Sequence, residues 1–345
     1  MSPPRLFDVD RGKGLAILLV VAGHIVARTP PADNDWYLLV KDAIYQFHMP
    51  FFMFLSGLVM GHTFRVPKSL PDYRTFVGKR FMRLFPAYAM FGLLILVGKL
   101  LAQDLLYIDN APTDLVSGVI AILTRPTVSS ASSLWYIYVL FAYYLLVPAL
   151  LMITGGRLWP FLAGAIAFHF YPATDLFMLD GILEYSIYFS LGFLAARHYA
   201  RYATALDVHR LLFIGVFGLT LAEFLIGIVM WPEARSAMLM GVPVLAISKL
   251  CLGCSAIVAL HSLVRSPLLA RSRVLLTIGL YTFAIYLMNT IAIGVVKGSL
   301  LRVWSWDGVN FLAFAPILVL AGILIPITVK RVVLSRAVVL DRMTG

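Results

Sequence analysis

Long apolar runs separated by short polar stretches dominate the chain from residue 14 to residue 329. A membrane helix takes about 20 mainly apolar residues, or about 17 at the short limit, and by that measure the chain holds about ten spans. They cover 14–30, 43–64, 84–103, 134–153, 158–174, 182–196, 211–231, 238–262, 274–296 and 309–329, of which the first, fifth and sixth are the shortest or most polar. Residues 115–124 form one more apolar run, too short to cross a bilayer, which predicts an interfacial or re-entrant helix. No internal repeat stands out, and this lowers the expectation of a transporter built from duplicated halves. The predicted fold class is an all-α polytopic membrane helix bundle.

Composition removes the competing classes. Of the 345 residues, 61% are hydrophobic and 13% are charged, whereas soluble domains carry about 25% charged residues and disordered chains carry little apolar surface. The net charge of +11 raises nucleic acid as a partner, but the basic residues are spread between spans rather than gathered in one footprint. The bilayer, not nucleic acid, is the expected partner.

Lys and Arg stay preferentially in cytoplasmic loops. With the N-terminus inside, most of the 28 fall on the inner side, including Arg65, Lys68, Arg74, Lys79, Arg80 and Arg83 between two spans and Lys330, Arg331, Arg336 and Arg342 after the last. Both termini are therefore expected in the cytoplasm, with the chain multi-pass in the inner (plasma) membrane. A signal peptide is the weaker reading of the N-terminus, because Asp8 and Asp10 sit in its basic region and His24 interrupts its apolar run. The two cysteines, Cys251 and Cys254, read as small helix-packing residues rather than a disulfide or half of a metal site, and no metal is expected.

Ionisable residues inside spans are costly, and each is a functional candidate weighed against burial in a helix interface. His24 leads. It follows Lys13 by eleven positions, about 16 Å along a helix, which places it near the bilayer middle. His48 lies on the next span, in a run from Tyr45 to Gly57 interrupted by Pro50, and two histidines on consecutive antiparallel helices can face one cavity. Arg80 and Arg83 are three apart and share a helix face suited to a multiply charged phosphate ligand, although spacing alone favours a topology marker at the headgroups. Glu184 begins a span on the outer side, Trp135 and Tyr136 suit an interfacial belt or an acceptor cleft, and Glu223 with Lys249 suggests an interhelical ion pair.

These residues fall into a familiar order. Asp10-Arg11-Gly12-Lys13-Gly14, Gly23-His24, Phe47-His48-Met49-Pro50, Ser56-Gly57, Arg80-x-x-Arg83 and Pro86 follow one another in the first 90 residues. Later echoes are Leu134-Trp135-Tyr136, Ser190-Leu191-Gly192 and Gly279-Leu280-Tyr281. The pattern resembles the integral-membrane acyltransferase-3 family, in its fucose 4-O-acetylase-like or exopolysaccharide O-acetyltransferase branch.

The resemblance implies one integral-membrane acyltransferase domain over residues 1–345. It implies transfer of an acyl group, most often acetyl from cytoplasmic acetyl-CoA as co-substrate, to a hydroxyl of a carbohydrate or lipid-linked glycan at the outer side. It implies that Lys13 and His24, with Asp10 opening the motif, belong to the catalytic set, and that Arg80, Arg83 and Lys13 engage the donor. Where family members often carry arginine this chain has Lys13, a point charge without the planar fork. Where a histidine is often found near the end of the last motif it has Asn289, and no role carries over.

The chemistry fits independently of the resemblance. A sugar hydroxyl is a poor nucleophile at neutral pH, and a histidine, ordinarily titrating near 6.5, can take its proton as a thioester is attacked. His24 is the expected general base. His48 orients it, polarises the thioester or binds acceptor, and an acyl-histidine intermediate is a further route. Trp135, Tyr136 and Glu184 are the acceptor-binding candidates. Two other readings compete: a transporter or flippase using His24 and His48 as a proton relay, and an N-acyltransferase on the same scaffold. Acceptor identity, acyl length and oligomeric state are not encoded in these patterns.

Overall fold

Helices account for nearly every apolar run. The computed structural model describes residues 5–26, 30–103, 111–230, 238–239 and 242–344, and among them fourteen α-helices follow one another. They are α1 (Phe7–His24), α2 (Trp36–Thr63), α3 (Leu70–Ala102), α4 (Leu115–Thr124), α5 (Trp135–Ile153), α6 (Trp159–Phe168) and α7 (Leu179–Arg197). The second half holds α8 (Tyr199–Val208), α9 (Arg210–Met230), α10 (Val244–Val264), α11 (Arg273–Leu280), α12 (Thr282–Leu300), α13 (Phe311–Val332) and α14 (Val338–Met343). The one described strand pair, Met238–Leu239 with Val242–Pro243, is a two-residue antiparallel hairpin ahead of α10.

Among the described residues, eight helices are long and apolar enough to cross a membrane: α2, α3, α5, α7, α9, α10, α12 and α13. This corrects the expected ten. The run 158–174 folds as the ten-residue α6, about 15 Å long and too short to span. The first run begins earlier and ends earlier than its hydropathy suggests: α1 has 18 residues, and Asp8, Asp10, Arg11 and Lys13 on it keep it outside the eight. The run 274–296 breaks at Tyr281 into α11 and α12. The run 115–124 is α4, as expected, with Asp114 capping its start through bonds from the Val116 and Ser117 amides of 2.8 and 2.9 Å.

The apolar run continues through Ile25 and Val26, yet the helix stops at His24. The carbonyls of a last helical turn lack partners within the helix. Here α2 supplies them, the Tyr37 hydroxyl donating to the Ala22 carbonyl and the Tyr45 hydroxyl to that of Gly23, the latter at 2.9 Å. The last turn of α1 is thus capped from the neighbouring helix rather than by continued helix, the kind of satisfaction that membrane interiors demand.

Two glycine pairs set the closest helix approaches. A Cβ on Gly57 of α2 would lie 2.0 Å from the Phe189 carbonyl oxygen of α7, and one on Gly192 would lie 1.9 Å from that of Phe54. Likewise, a Cβ on Gly14 of α1 would lie 2.1 Å from the Leu275 oxygen of α11, and one on Gly279 would lie 1.9 Å from that of Asp10. The motif glycines are therefore contact points where backbones touch, the arrangement expected where no hydrophobic effect drives helices together. Enclosed in this way, α2 buries most of its side chains from Phe47 to Leu58, while α9 buries only Phe224.

Polar residues tie the periphery. Asp8 accepts from Arg265 Nη1 at 2.7 Å and from the Tyr199 hydroxyl, and Arg265 Nη2 reaches Asp207 at 2.6 Å. Lys330 is buried, and its Nζ donates to the Asp341 carboxylate and the Thr344 hydroxyl, both at 2.9 Å, which holds α14 beneath α13. The expected pairing of Glu223 with Lys249 is not formed: Glu223 accepts from the Ser248 hydroxyl, and Lys249 instead places its charge near Glu184. A hydroxyl one residue before Lys249 meets the carboxylate because helix rotation directs Lys249 to a different face. The cysteines are free, Cys251 exposed and Cys254 half-buried.

Candidate active site

Lys13 and His24 lie on the same stripe of α1, because eleven residues are close to three full turns of about 3.6 residues. Lys13 is held by Asp10, whose carboxylate lies 3.4 Å from Lys13 Nζ and 2.6 Å from Arg5 Nε. With both oxygens engaged, Asp10 orients cations. The positive charges of Arg83, from α3, and Arg5 act on Lys13, so three cations and one carboxylate gather at this end of α1. Arg80 turns elsewhere, its guanidinium 4.8 Å from the Tyr144 ring centre and 5.2 Å from that of Phe76. Both arginines sit on the helix itself, since α3 begins at Leu70, capped by the Ser69 hydroxyl that accepts from the Asp72 amide.

His24 closes α1, half-buried, with Nδ1 2.7 Å from Asn289 Oδ1 on α12. His48 lies twelve residues into α2, roughly 18 Å along a helix of 28 residues and so near its middle. It is buried, donates from Nδ1 to the Ile44 carbonyl at 2.7 Å, and packs its ring 5.2 Å from that of Tyr45. Pro50 leaves α2 unbroken. The two imidazoles are close enough for their charges to act on one another, as does that of Lys41 on His24.

The acceptor candidates separate. Trp135 stacks at 5.0 Å on Tyr185, beside the exposed Glu184, whose backbone carbonyl accepts from His169 Nδ1 at 2.8 Å. Tyr136 is enclosed in the core, its hydroxyl 2.6 Å from Ser56 Oγ. Its amide donates to the Tyr286 hydroxyl at 3.1 Å, and that hydroxyl donates to the Ser133 carbonyl at 2.5 Å. Tyr136 thus joins α2, α5 and α12. Helices α3 and α5 run antiparallel, with Arg80 beside Tyr144, Phe81 beside Phe141 and Tyr88 beside Tyr138, so Trp135 lies toward the end of α3 remote from Arg83.

A cavity of about 700 Å³ opens between α3, α12 and α13, lined by apolar residues such as Phe91, Met288 and Ile325, and no candidate residue borders it. No cluster suited to a metal ion occurs among the described residues. Sequence reasoning assigned no role to Asn289, fully buried on α12 and bonded to His24. The signal available was an amide in a helix otherwise apolar around it.

Residues 6–331 match the family described as "Acyltransferase domain", nearly the whole chain. The chain belongs to the acyltransferase-3 family. It is similar to a protein named "Nodulation protein NolL" from Sinorhizobium fredii, 29% identical over 205 residues, covering 58% of this chain and 51% of that protein. A protein of the same name from Mesorhizobium japonicum is 27% identical over 197 residues, covering 56% and 48%. This chain thus spans about half the length of the curated relatives it matches. No solved structure matches. The chain thus combines an acyltransferase-3 family domain with several helices long and apolar enough to cross a membrane.

Proposed function

We propose that this membrane acyltransferase moves an acetyl or similarly short acyl group from cytoplasmic acyl-CoA to a carbohydrate hydroxyl at the outer side of the inner membrane, with His24 as general base. The observation that carries the reading is the His24 imidazole, engaged at one ring nitrogen by Asn289, with His48 close by, on the same stripe of α1 as a cationic cluster. Lys13 and Arg83 suit the phosphates of CoA, and the roughly 16 Å between Lys13 and His24 along α1 suits an extended pantetheine arm. The acceptor hydroxyl gives its proton to His24 as its oxygen bonds to the thioester carbon. The carbon–sulfur bond then breaks, and the proton passes to the departing thiolate. Trp135 and Glu184 offer an aromatic face and a carboxylate for a sugar on the far side.

Mass spectrometry of surface glycans from cells with and without the protein should show an added acyl mass on an oxygen. Purified protein in nanodiscs should release CoA from acetyl-CoA when glycan extract is supplied. His24→Ala should lose at least about a hundredfold in that rate, the lower end of what a general base contributes. Undiminished turnover in the variant would remove His24 as base, and an N-linked product would reassign the acceptor class.

A further inference from the structure

We infer that Asn289 is a positioning residue that fixes which nitrogen of His24 carries the proton; the inference rests on His24 acting as the base. An amide has one face that accepts and one that donates, and the two are confused only where neighbours allow a flip. Here they do not. Both N–H groups of Asn289 are spent on its own helix, donating to the carbonyls of Ile285 and Tyr286 at 2.9 Å each. Exchanging oxygen and nitrogen would set Oδ1 against two carbonyl oxygens in a buried site, a repulsion that no donor relieves.

The oxygen is therefore held toward His24, where it meets Nδ1 at 2.7 Å. An oxygen that only accepts requires a hydrogen on its partner, so neutral His24 carries its proton on Nδ1 and its lone pair on Nε2. That is the nitrogen left to receive the acceptor's proton. The logic is that of the orienting member of a triad, which holds a catalytic imidazole in its working tautomer, with a neutral amide in place of a carboxylate. The other groups acting on His24 come from α2: the charges of Lys41 and His48, and Tyr45 through the Gly23 carbonyl.

Neutrality at this position has a consequence that separates orientation from charge. Asn289→Ala removes the acceptor and lets either tautomer form, so the rate of CoA release at saturating acetyl-CoA should fall about ten- to a hundredfold, the range typical of losing an outer hydrogen bond to a functional histidine. KM for acetyl-CoA should hold. Asn289→Asp keeps an oxygen against Nδ1 but sets the other against the Ile285 and Tyr286 carbonyls, where only a protonated carboxyl can donate, so the tautomer should be held and activity partly restored relative to Asn289→Ala.

A readout independent of turnover completes the test. With ¹⁵N-labelled histidine rings and His24→Gln for assignment, His24 should show protonated Nδ1 and bare Nε2 in the wild-type protein, and a mixture in Asn289→Ala. Wild-type turnover and an unchanged tautomer in Asn289→Ala would overturn the positioning role while leaving His24 in place. A loss of folding, judged by unfolding temperature, would shift the decision to Asn289→Asp, where wild-type turnover by a His24 ring with bare Nδ1 overturns it. Full activity in His24→Ala would instead sink the underlying assignment of the base, whatever Asn289 does to the ring.

Discussion

His24 and His48 each bond through Nδ1, one to a side-chain amide from another helix and one to a carbonyl of its own. Their neighbouring cations divide labour in a similar way. Arg80 lies against two rings, where a guanidinium gains from stacking as well as charge, whereas Arg83 joins Lys13 and Arg5 about Asp10. Arg83→Ala should therefore raise KM for acetyl-CoA more than Arg80→Ala, whose main effect should be a lower unfolding temperature. Equal KM values for the two variants would contradict this division. Titration of a third residue bears on stability. The Arg265 guanidinium holds Asp207, on α8, below the usual carboxylate range. A carboxylate whose native value is depressed contributes stability above its unfolded value, here near 3.8, and loses it as pH falls through the lower native one. Because Asp207 is exposed the gain is small, and an Asp207→Asn variant should differ slightly from wild type in unfolding temperature at neutral pH and converge on it in acid.

At the scale of elements, what the sequence revealed and what it concealed have physical causes. Long apolar helices were legible because a bilayer imposes length and composition together. The ends of α1 and α6 were not, because helix termini depend on distant partners, as the Tyr37 and Tyr45 hydroxyls show for α1. His24 and His48 were legible as polar residues in two consecutive apolar runs. The Asn289 contact spans 265 residues of chain, and the lone amide in an apolar run marks the position without naming its partner. Glycines in the motifs gave no hint of their partners either, yet they carry a sharp expectation. Gly57→Ala forces a methyl against the Phe189 oxygen at 2.0 Å, while a Cβ at Gly215 on α9 meets nothing within 4 Å. Overpacking costs about 1–3 kcal/mol, whereas alanine for an exposed helical glycine gains about 0.5–1 kcal/mol. Thermal unfolding in detergent should fall for Gly57→Ala and hold or rise for Gly215→Ala. Equal shifts would mean that α2 and α7 can slide apart without loss.

For the whole molecule, the arrangement is polarised along the bundle. Lys13 lies in the first half of α1 and acts with Arg83 near the middle of α3, and Trp135 lies farther along α3, beyond Tyr88, because α5 runs antiparallel to it. His24 closes α1 against Asn289 of α12, whose neighbour Thr290 lies 3.4 Å from Ser133, two residues before Trp135. On the proposed function, a donor too polar to cross the bilayer and an acceptor displayed beyond it meet at the His24 imidazole only if each is admitted from its own side. In proteoliposomes of uniform orientation, acetyl-CoA added at the face bearing Arg83 should be consumed, with the acyl product appearing on acceptor at the other face. Acetyl-CoA at the acceptor face alone should give nothing. Equal turnover from both faces would mean that donor and acceptor share an entrance, and the polarity of the cation cluster and the Trp135–Glu184 group would then serve topology rather than catalysis.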